Sequence, residues 1–255
     1  MIELTGPYEI VPGIPPARHV RVYVPRRTPA RARPVLFMFD GQNVFDDKPS
    51  FAGGWHAHST VERLAKNVEA PVIVGLDHGG VHRIKELSPF GGGDLERELA
   101  WIERWLLPKL RAEHALTSDA RRVIVGGSSM GGLAALYATL RMPHVFGGAL
   151  SMSPSLQIAG GAIFDWARHQ RALAHGGVGG ARLRIYLDAG AHEAGGSMLA
   201  RARSMAGLLA HARGVELKFR EDPKGRHNEA SWRRRLLPAL RFHFGTSRAP
   251  RDRKD

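Results

Sequence analysis

Apolar residues along this chain recur with two periods that take turns from one end to the other. His19-Val20-Arg21-Val22-Tyr23-Val24-Pro25 alternates residue by residue and predicts a half-buried strand ended by proline. Val35 to Phe39 and Pro71 to Leu76 are unbroken apolar runs, as expected of strands covered on both faces. Between them Val61, Leu64, Ala65 and Val68 recur at helical spacing, which predicts a helix over 59–68 capped by Ser59 or Thr60. Leu95, Leu99, Ile102, Leu106 and Leu110 form a longer stripe and predict a helix over about 94–112. A strand at 122–126 leads into the helix-forming Leu133 to Ala138. Beyond it the pattern predicts strands at 145–150, 181–187 and 215–220 and helices at 163–175, 196–213 and 229–244. Strands that alternate with helices, joined by right-handed crossovers, make an α/β fold: a mostly parallel central sheet covered by helices on both faces. Ligands of such sheets sit beyond the carboxyl ends of the strands, so the loops there are where chemistry is sought.

Composition narrows the chemistry. With 255 residues and 43 % hydrophobic content, the chain is expected to form one sizeable domain over 1–245, followed by a basic polar tail over 246–255. Cysteine is absent, which excludes disulfides, thiolate catalysis and cysteine-ligated zinc. The 13 histidines are dispersed and form no HExxH pattern, so neither a metal nor another cofactor is expected. Asp40, Asp46 and Asp47 lack the ordered spacing of a calcium loop and read as turn-forming or capping residues. The N-terminal residues have neither the basic region nor the apolar core of a signal peptide. No run approaches the roughly 18 apolar residues of a membrane span, so a cytoplasmic location and no membrane partner are expected. The formal charge of +13 is spread along the chain without a reading motif; it predicts a solvated basic face and attraction of anionic small molecules, not a nucleic-acid partner.

The sharpest local signal is Gly127-Ser128-Ser129-Met130-Gly131-Gly132, set between the strand 122–126 and a helix. A strand that turns at once into a helix brings backbone against backbone, and glycines two before and two after the turning residue remove colliding Cβ atoms. Only Ser129 has glycine at both places, which excludes its rival Ser128. This is the nucleophile elbow of a serine hydrolase, with the hydroxyl exposed at a helix start.

A serine hydroxyl needs a base, and the base a carboxylate, in the chain order serine, acid, histidine. His227 follows the last strand and precedes the last helix, whereas His211 and His243 fall inside helix patterns. The loop after the strand 181–187 offers both Asp188 and Glu193; position favours Glu193 beyond the Gly190 turn without excluding Asp188. His192 beside them reads as facing water. Oxyanion donors are expected at the N–H of Met130 and, in the loop after the strand 35–39, at the N–H of Gln42.

Together these segments resemble the putative-esterase branch of the α/β-hydrolase superfamily, in its single-domain form similar to enterochelin and feruloyl esterases. The resemblance rests on Phe39-Asp40-Gly41-Gln42-Asn43-Val44-Phe45, Val74-Gly75-Leu76-Asp77, Arg83 to Phe90, the elbow, Leu150 to Ser155, Asp188 to Glu193, and Gly225-Arg226-His227-Asn228 with Trp232. It runs in the family's order over about 18–244. It implies an α/β-hydrolase fold and a serine esterase with Ser129, Glu193 and His227 as triad, and it selects Glu193 over Asp188. The implied substrate is a small ester of siderophore, aromatic or acetyl type, cleaved through an acyl-enzyme. Acyl transfer from the same intermediate and a non-catalytic binding module are the alternatives. Arg83 would lie near the pocket, bound to a substrate carboxylate or phenolate or else bridged to Glu86. Trp55, with His56 and His58, either stacks on an aromatic or sugar group or packs its loop on the body.

Overall fold

The computed structural model of the chain describes residues 1–9, 17–50 and 52–245; the tail expected over 246–255 lies outside the described residues. The strands are β1 (Ile2–Tyr8), β2 (Arg18–Tyr23), β3 (Val35–Phe39), β4 (Val72–Leu76), β5 (Val123–Ser128), β6 (Gly148–Met152), β7 (Leu183–Gly190) and β8 (Val215–Asp222). They form one sheet in the order β1-β2-β4-β3-β5-β6-β7-β8. The β1–β2 and β2–β4 pairs are antiparallel and all later neighbours parallel, so the sheet is mixed but mostly parallel. The helices are α1 (Gly41–Val44), α2 (Ala57–Glu62), α3 (Arg83–Glu86), α4 (Leu95–Trp101), α5 (Leu107–His114), α6 (Met130–Arg141), α7 (Ala162–Arg168), α8 (Arg171–His175), α9 (Ser197–Ala210) and α10 (Glu229–Phe244). This is an α/β-hydrolase fold, as the alternation of periods and the resemblance led one to expect.

Strand β3 explains the unbroken apolar runs. Val35, Phe37 and Phe39 pack into one core cluster with Leu99, Ile102 and Leu133, while Leu36 and Met38 pack into a second with Val61, Leu236 and Leu240. Successive side chains leave a strand on opposite faces, and helices cover both. Helix α10 has the bounds its pattern predicts and runs on through Pro238. Asn228 Oδ1 accepts from Ser231 N–H at 3.0 Å and caps it, and Trp232, Leu236, Ala239, Leu240 and Phe244 form the buried stripe.

Elsewhere the structure corrects the periodicities. Strand β1 is not among the elements the periodicities predict; it lies on the exposed sheet edge, and a shift of register between Thr5 and Tyr8 accommodates Gly6-Pro7. The helix expected over 59–68 is α2, which starts at Ala57 after His56, so Ser59 and Thr60 lie inside it and cap nothing. Val61, Leu64 and Val68 are buried as their spacing implies, but Arg63 N–H turns back to Thr60 O and ends the helix early. The stripe 94–112 is helical from Leu95 to His114, widened to a π-helical stretch over Ile102–Leu106, just ahead of Pro108, whose nitrogen cannot donate to the turn before it. Val145 and Phe146 are buried in a turn, and the strand begins at Gly148. An extended Gln170 divides the helix expected over 163–175 into α7 and α8. Among the described residues, no helix is long and apolar enough to cross a membrane.

Candidate active site

Ser129 sits between β5 and α6 with φ 57 and ψ −117, a backbone conformation costing a non-glycine residue on the order of 1–3 kcal/mol. The flanking glycines make this turn possible: a Cβ on Gly127 would lie 2.8 Å from the backbone carbon of Gly131. Ser128 ends β5 as a buried residue. Ser129 O–H lies 3.0 Å from His227 Nε2, and its oxygen is also 3.1 Å from Ser155 Oγ.

His227 reaches the serine because two loops meet. A Cβ on Gly190, at the end of β7, would come within 2.5 Å of the Gly225 backbone, and His192 N–H donates to Gly225 O at 3.0 Å. That contact lays the loop after β8 over the loop after β7 and brings His227 Nδ1 to 3.5 Å from Glu193 Oε2, a stretched hydrogen bond. The His227 ring stands edge-on to Trp232, centroids 4.9 Å apart. Glu193 is fully buried, and its Oε1 accepts from Ser153 Oγ at 2.7 Å, Gly190 N–H at 3.0 Å and Arg235 Nη2 at 3.3 Å. Burial pushes the Glu193 carboxyl up, but the bonds from His227 and Ser153 and the Arg235 charge outweigh it and hold the group below the usual carboxylate range. Asp188, the other sequence candidate, faces Ser153 N–H and Arg235 and makes no contact with His227. Exposed His192 faces water, and His243 is buried with Nε2 3.0 Å from Ala149 O, held down to about 3 by burial.

The two expected main-chain donors both open helices. Met130 is the first residue of α6 and Gln42 the second of α1, so neither N–H has an acceptor within its own helix. The Gln42 side chain points away to the next loop, where its Oε1 accepts from His78 N–H at 3.1 Å. Asp40 precedes α1 without capping it; its carboxylate is bound by Arg83 Nε at 2.6 Å and Nη2 at 2.7 Å. This corrects one alternative for Arg83. Glu86 is not its partner, because Glu86 turns inward to the buried Arg18 and to Gly79 N–H.

A cavity of about 470 Å³ opens over Ser129, lined among others by Asp40, His78, Arg83, His227, Glu229 and Trp232. Trp55 is not on that wall. It is buried in the core behind Trp232, centroids 6.0 Å apart, so it packs its loop on the body. Among the described residues, Asp46, His56 and His58 have donor atoms within 4.8 Å of one another, close enough to share a cation, but none of them lines the cavity. Sequence reasoning missed Ser153, Ser155 and Arg235. Ser153 and Ser155 stand in a quoted segment without a signature of their own, and Arg235 is one of three consecutive arginines of which only it turns inward.

Comparison with known proteins gives this geometry a setting. The family model described as "Putative esterase" matches residues 13–243. The iron(III) enterobactin esterase of Escherichia coli strain K12 is 32 % identical over 233 residues, a match covering 88 % of this chain and 53 % of that protein. The crystal structure of the enterobactin esterase FES from Shigella flexneri in the presence of enterobactin is similar with a TM-score of 0.69 at 26 % identity, over 88 % of this chain and 54 % of that one. The BES protein from Bacillus cereus shares the fold, with a TM-score of 0.81 at 19 % identity over 95 % of this chain and 94 % of that one. The chain spans about half the length of the curated relatives it matches.

Proposed function

The chain belongs to the putative-esterase family, and from that premise we propose that it is a serine carboxylic-ester hydrolase with Ser129 as nucleophile, His227 as base and Glu193 as acid. The observation that carries this reading is the 3.0 Å approach of Ser129 Oγ to His227 Nε2 on a strained strand-to-helix turn, a strain that packing alone does not call for. Ser129 Oγ attacks the ester carbonyl carbon while His227 Nε2 takes its proton. Negative charge gathers on the carbonyl oxygen, where the N–H groups of Met130 and Gln42 receive it. The carbon–oxygen bond to the alcohol then breaks, the proton passes from His227 to the leaving oxygen, and the acyl group stays on Ser129. Water, deprotonated by the same imidazole, releases the acid and restores the hydroxyl. Glu193 at Nδ1 fixes the tautomer and stabilises the imidazolium in both halves.

The names of the enterobactin esterases point to the substrate class, a small ester of aromatic or anionic character, of siderophore, aryl or acetyl type. A cavity of about 470 Å³ falls in the range that holds a molecule of that size. Arg83 contributes by holding Asp40, at the start of the Gln42 loop, and Nη1, which Asp40 does not use, is left to take a substrate oxygen.

A panel of acetyl, butyryl, feruloyl and catecholate esters, assayed with Ser129→Ala and with a fluorophosphonate probe, tests the reading. The wild type should hydrolyse at least one and label at Ser129; the variant should lose activity by several orders of magnitude, as nucleophile deletions do. Failure to label, or turnover unaffected by the substitution, would overturn it. Product analysis in the same assay separates hydrolysis from acyl transfer, which gives a new ester in place of the free acid.

A further inference from the structure

Behind the serine and histidine, two buried carboxylates share one buried arginine. Arg235, on the inner face of α10, is 7 % exposed, while Asp188, Glu193 and Ser153 are each 0 % exposed. Arg235 Nη2 lies 2.8 Å from Ser153 Oγ and 3.3 Å from Glu193 Oε1, and Nη1 lies 3.4 Å from Asp188 Oδ1. Ser153 O–H donates to Glu193 Oε1 at 2.7 Å while its oxygen accepts from Trp232 Nε1 at 3.0 Å and from Arg235. Oε1 is thus held by Ser153, Arg235 and Gly190, and only Oε2 is left to face His227.

We propose that Arg235 is a positioning residue of the esterase centre, fixing the Glu193 carboxylate so that Oε2 meets His227 and favouring Glu193 over Asp188 as the charged partner of one guanidinium. The inference rests on the triad reading above. A single buried cation fully compensates one carboxylate, not two, and the contacts decide which. Glu193 collects three donors on Oε1, whereas Asp188 has one weak N–H contact of 3.3 Å from Ser153, and its Oδ2 has no hydrogen-bond partner. Burial, only partly offset by Arg235, accordingly pushes Asp188 up to about 7, while Glu193 stays below the usual range in spite of burial. The charge that stabilises the imidazolium therefore sits on the carboxylate that touches it. A purely structural role would have Arg235 do no more than tie α10 to β7.

Kinetics tell the two apart. Arg235→Gln alone leaves two carboxylates buried without a cation, so it is combined with Asp188→Asn, which leaves Glu193 as the one buried carboxylate, and compared with Asp188→Asn on one soluble aryl ester. Relative to that reference, the double variant should melt lower, because Glu193 is left buried without a cation, yet stay folded at the assay temperature, keep its KM and lose at least about tenfold in kcat, since a triad acid acts on the chemical step. The acid limb of its kcat/KM profile should move to higher pH, because Glu193 without Arg235 binds protons more readily and bears wholly on the imidazolium. Arg235→Lys on the same background should recover part of both effects, having the charge without the fork. A double variant with kcat within twofold of the reference and an unmoved acid limb overturns the proposal. Ser129→Ala in the same assay separates the failures: activity that survives it overturns the esterase reading, whereas Ser129-dependent activity indifferent to Arg235 overturns this inference alone.

Discussion

Glu193 and Asp188 leave the same strand end and are equally buried, but only Glu193 has an oxygen turned to an imidazole. Glu193→Gln keeps the shape and removes the charge, so it should cost on the order of 10² to 10⁴ in turnover with the fold intact. A loss below tenfold would move the acid role elsewhere. Asp188→Asn should show mainly in stability, with a sign set by proton uptake. Burial raises Asp188 to about 7 and Glu98, in α4, to about 8, while unfolded carboxylates ionise near 4. Across that interval the folded chain binds more protons than the unfolded one, so these two groups make stability fall as pH rises. Melting temperature measured from pH 5 to pH 8 should therefore decline less steeply in Asp188→Asn, and in Glu98→Gln, than in the wild type. The sequence brought both carboxylates forward because it shows which strand end they leave. It did not separate them by position alone, because the choice depends on how tightly Gly190 lies against Gly225, a contact between loops far apart in the chain.

At the scale of elements, that contact is itself testable. A Cβ at Gly190 would meet backbone of Gly225 at 2.5 Å and Glu193 Oε1 at 2.7 Å, and backbone cannot rotate out of the way as a side chain can. Gly190→Ala should push the His227 loop outward and lengthen the bond to Glu193, lowering kcat about tenfold or more at a KM near the wild type. Equal kcat in the folded variant would show that the loop spacing does not matter. Elements with a complete set of local signals were legible. The elbow has its glycines, α10 has Asn228 and an apolar stripe, and β3 to β5 have continuous apolar runs. Elements governed by pairing were not: β1 exists because β2 offers it an edge, and the start of β6 at Gly148 follows from its register against β5 and β7. The same holds for function. Trp55 stays open between binding platform and loop packing because an aromatic beside a catalytic loop has no sequence mark that tells wall from core, and Arg83 is matched in the sequence to nearby Glu86 because its actual partner Asp40 lies 43 positions away.

For the molecule as a whole, charge far from the site and charge in it have opposite tendencies. The chain carries a formal +13, which draws anions from a distance. The cavity wall sets one guanidinium, Arg83, against two carboxylates: Asp40, which binds it through two nitrogens, and Glu229, near enough to act on its charge. On the proposed substrate class, the long-range field is expected to speed the encounter with an anionic ester, while the wall adds little that would hold its charge during the chemical step. Salt separates these contributions, since the Debye length contracts from about 10 Å at 0.1 M to about 3 Å at 1 M and screens the distant charges first. Raising NaCl from 20 to 500 mM should lower kcat/KM for an anionic ester several-fold and leave its kcat unchanged, with little effect on a neutral ester of the same acyl group. Should kcat for the anionic ester fall in parallel, an ion pair inside the cavity is made in the transition state, and Arg83, whose Nη1 Asp40 does not use, would be the group to replace next. Should both esters lose kcat/KM alike, the basic surface plays no part in capturing substrate.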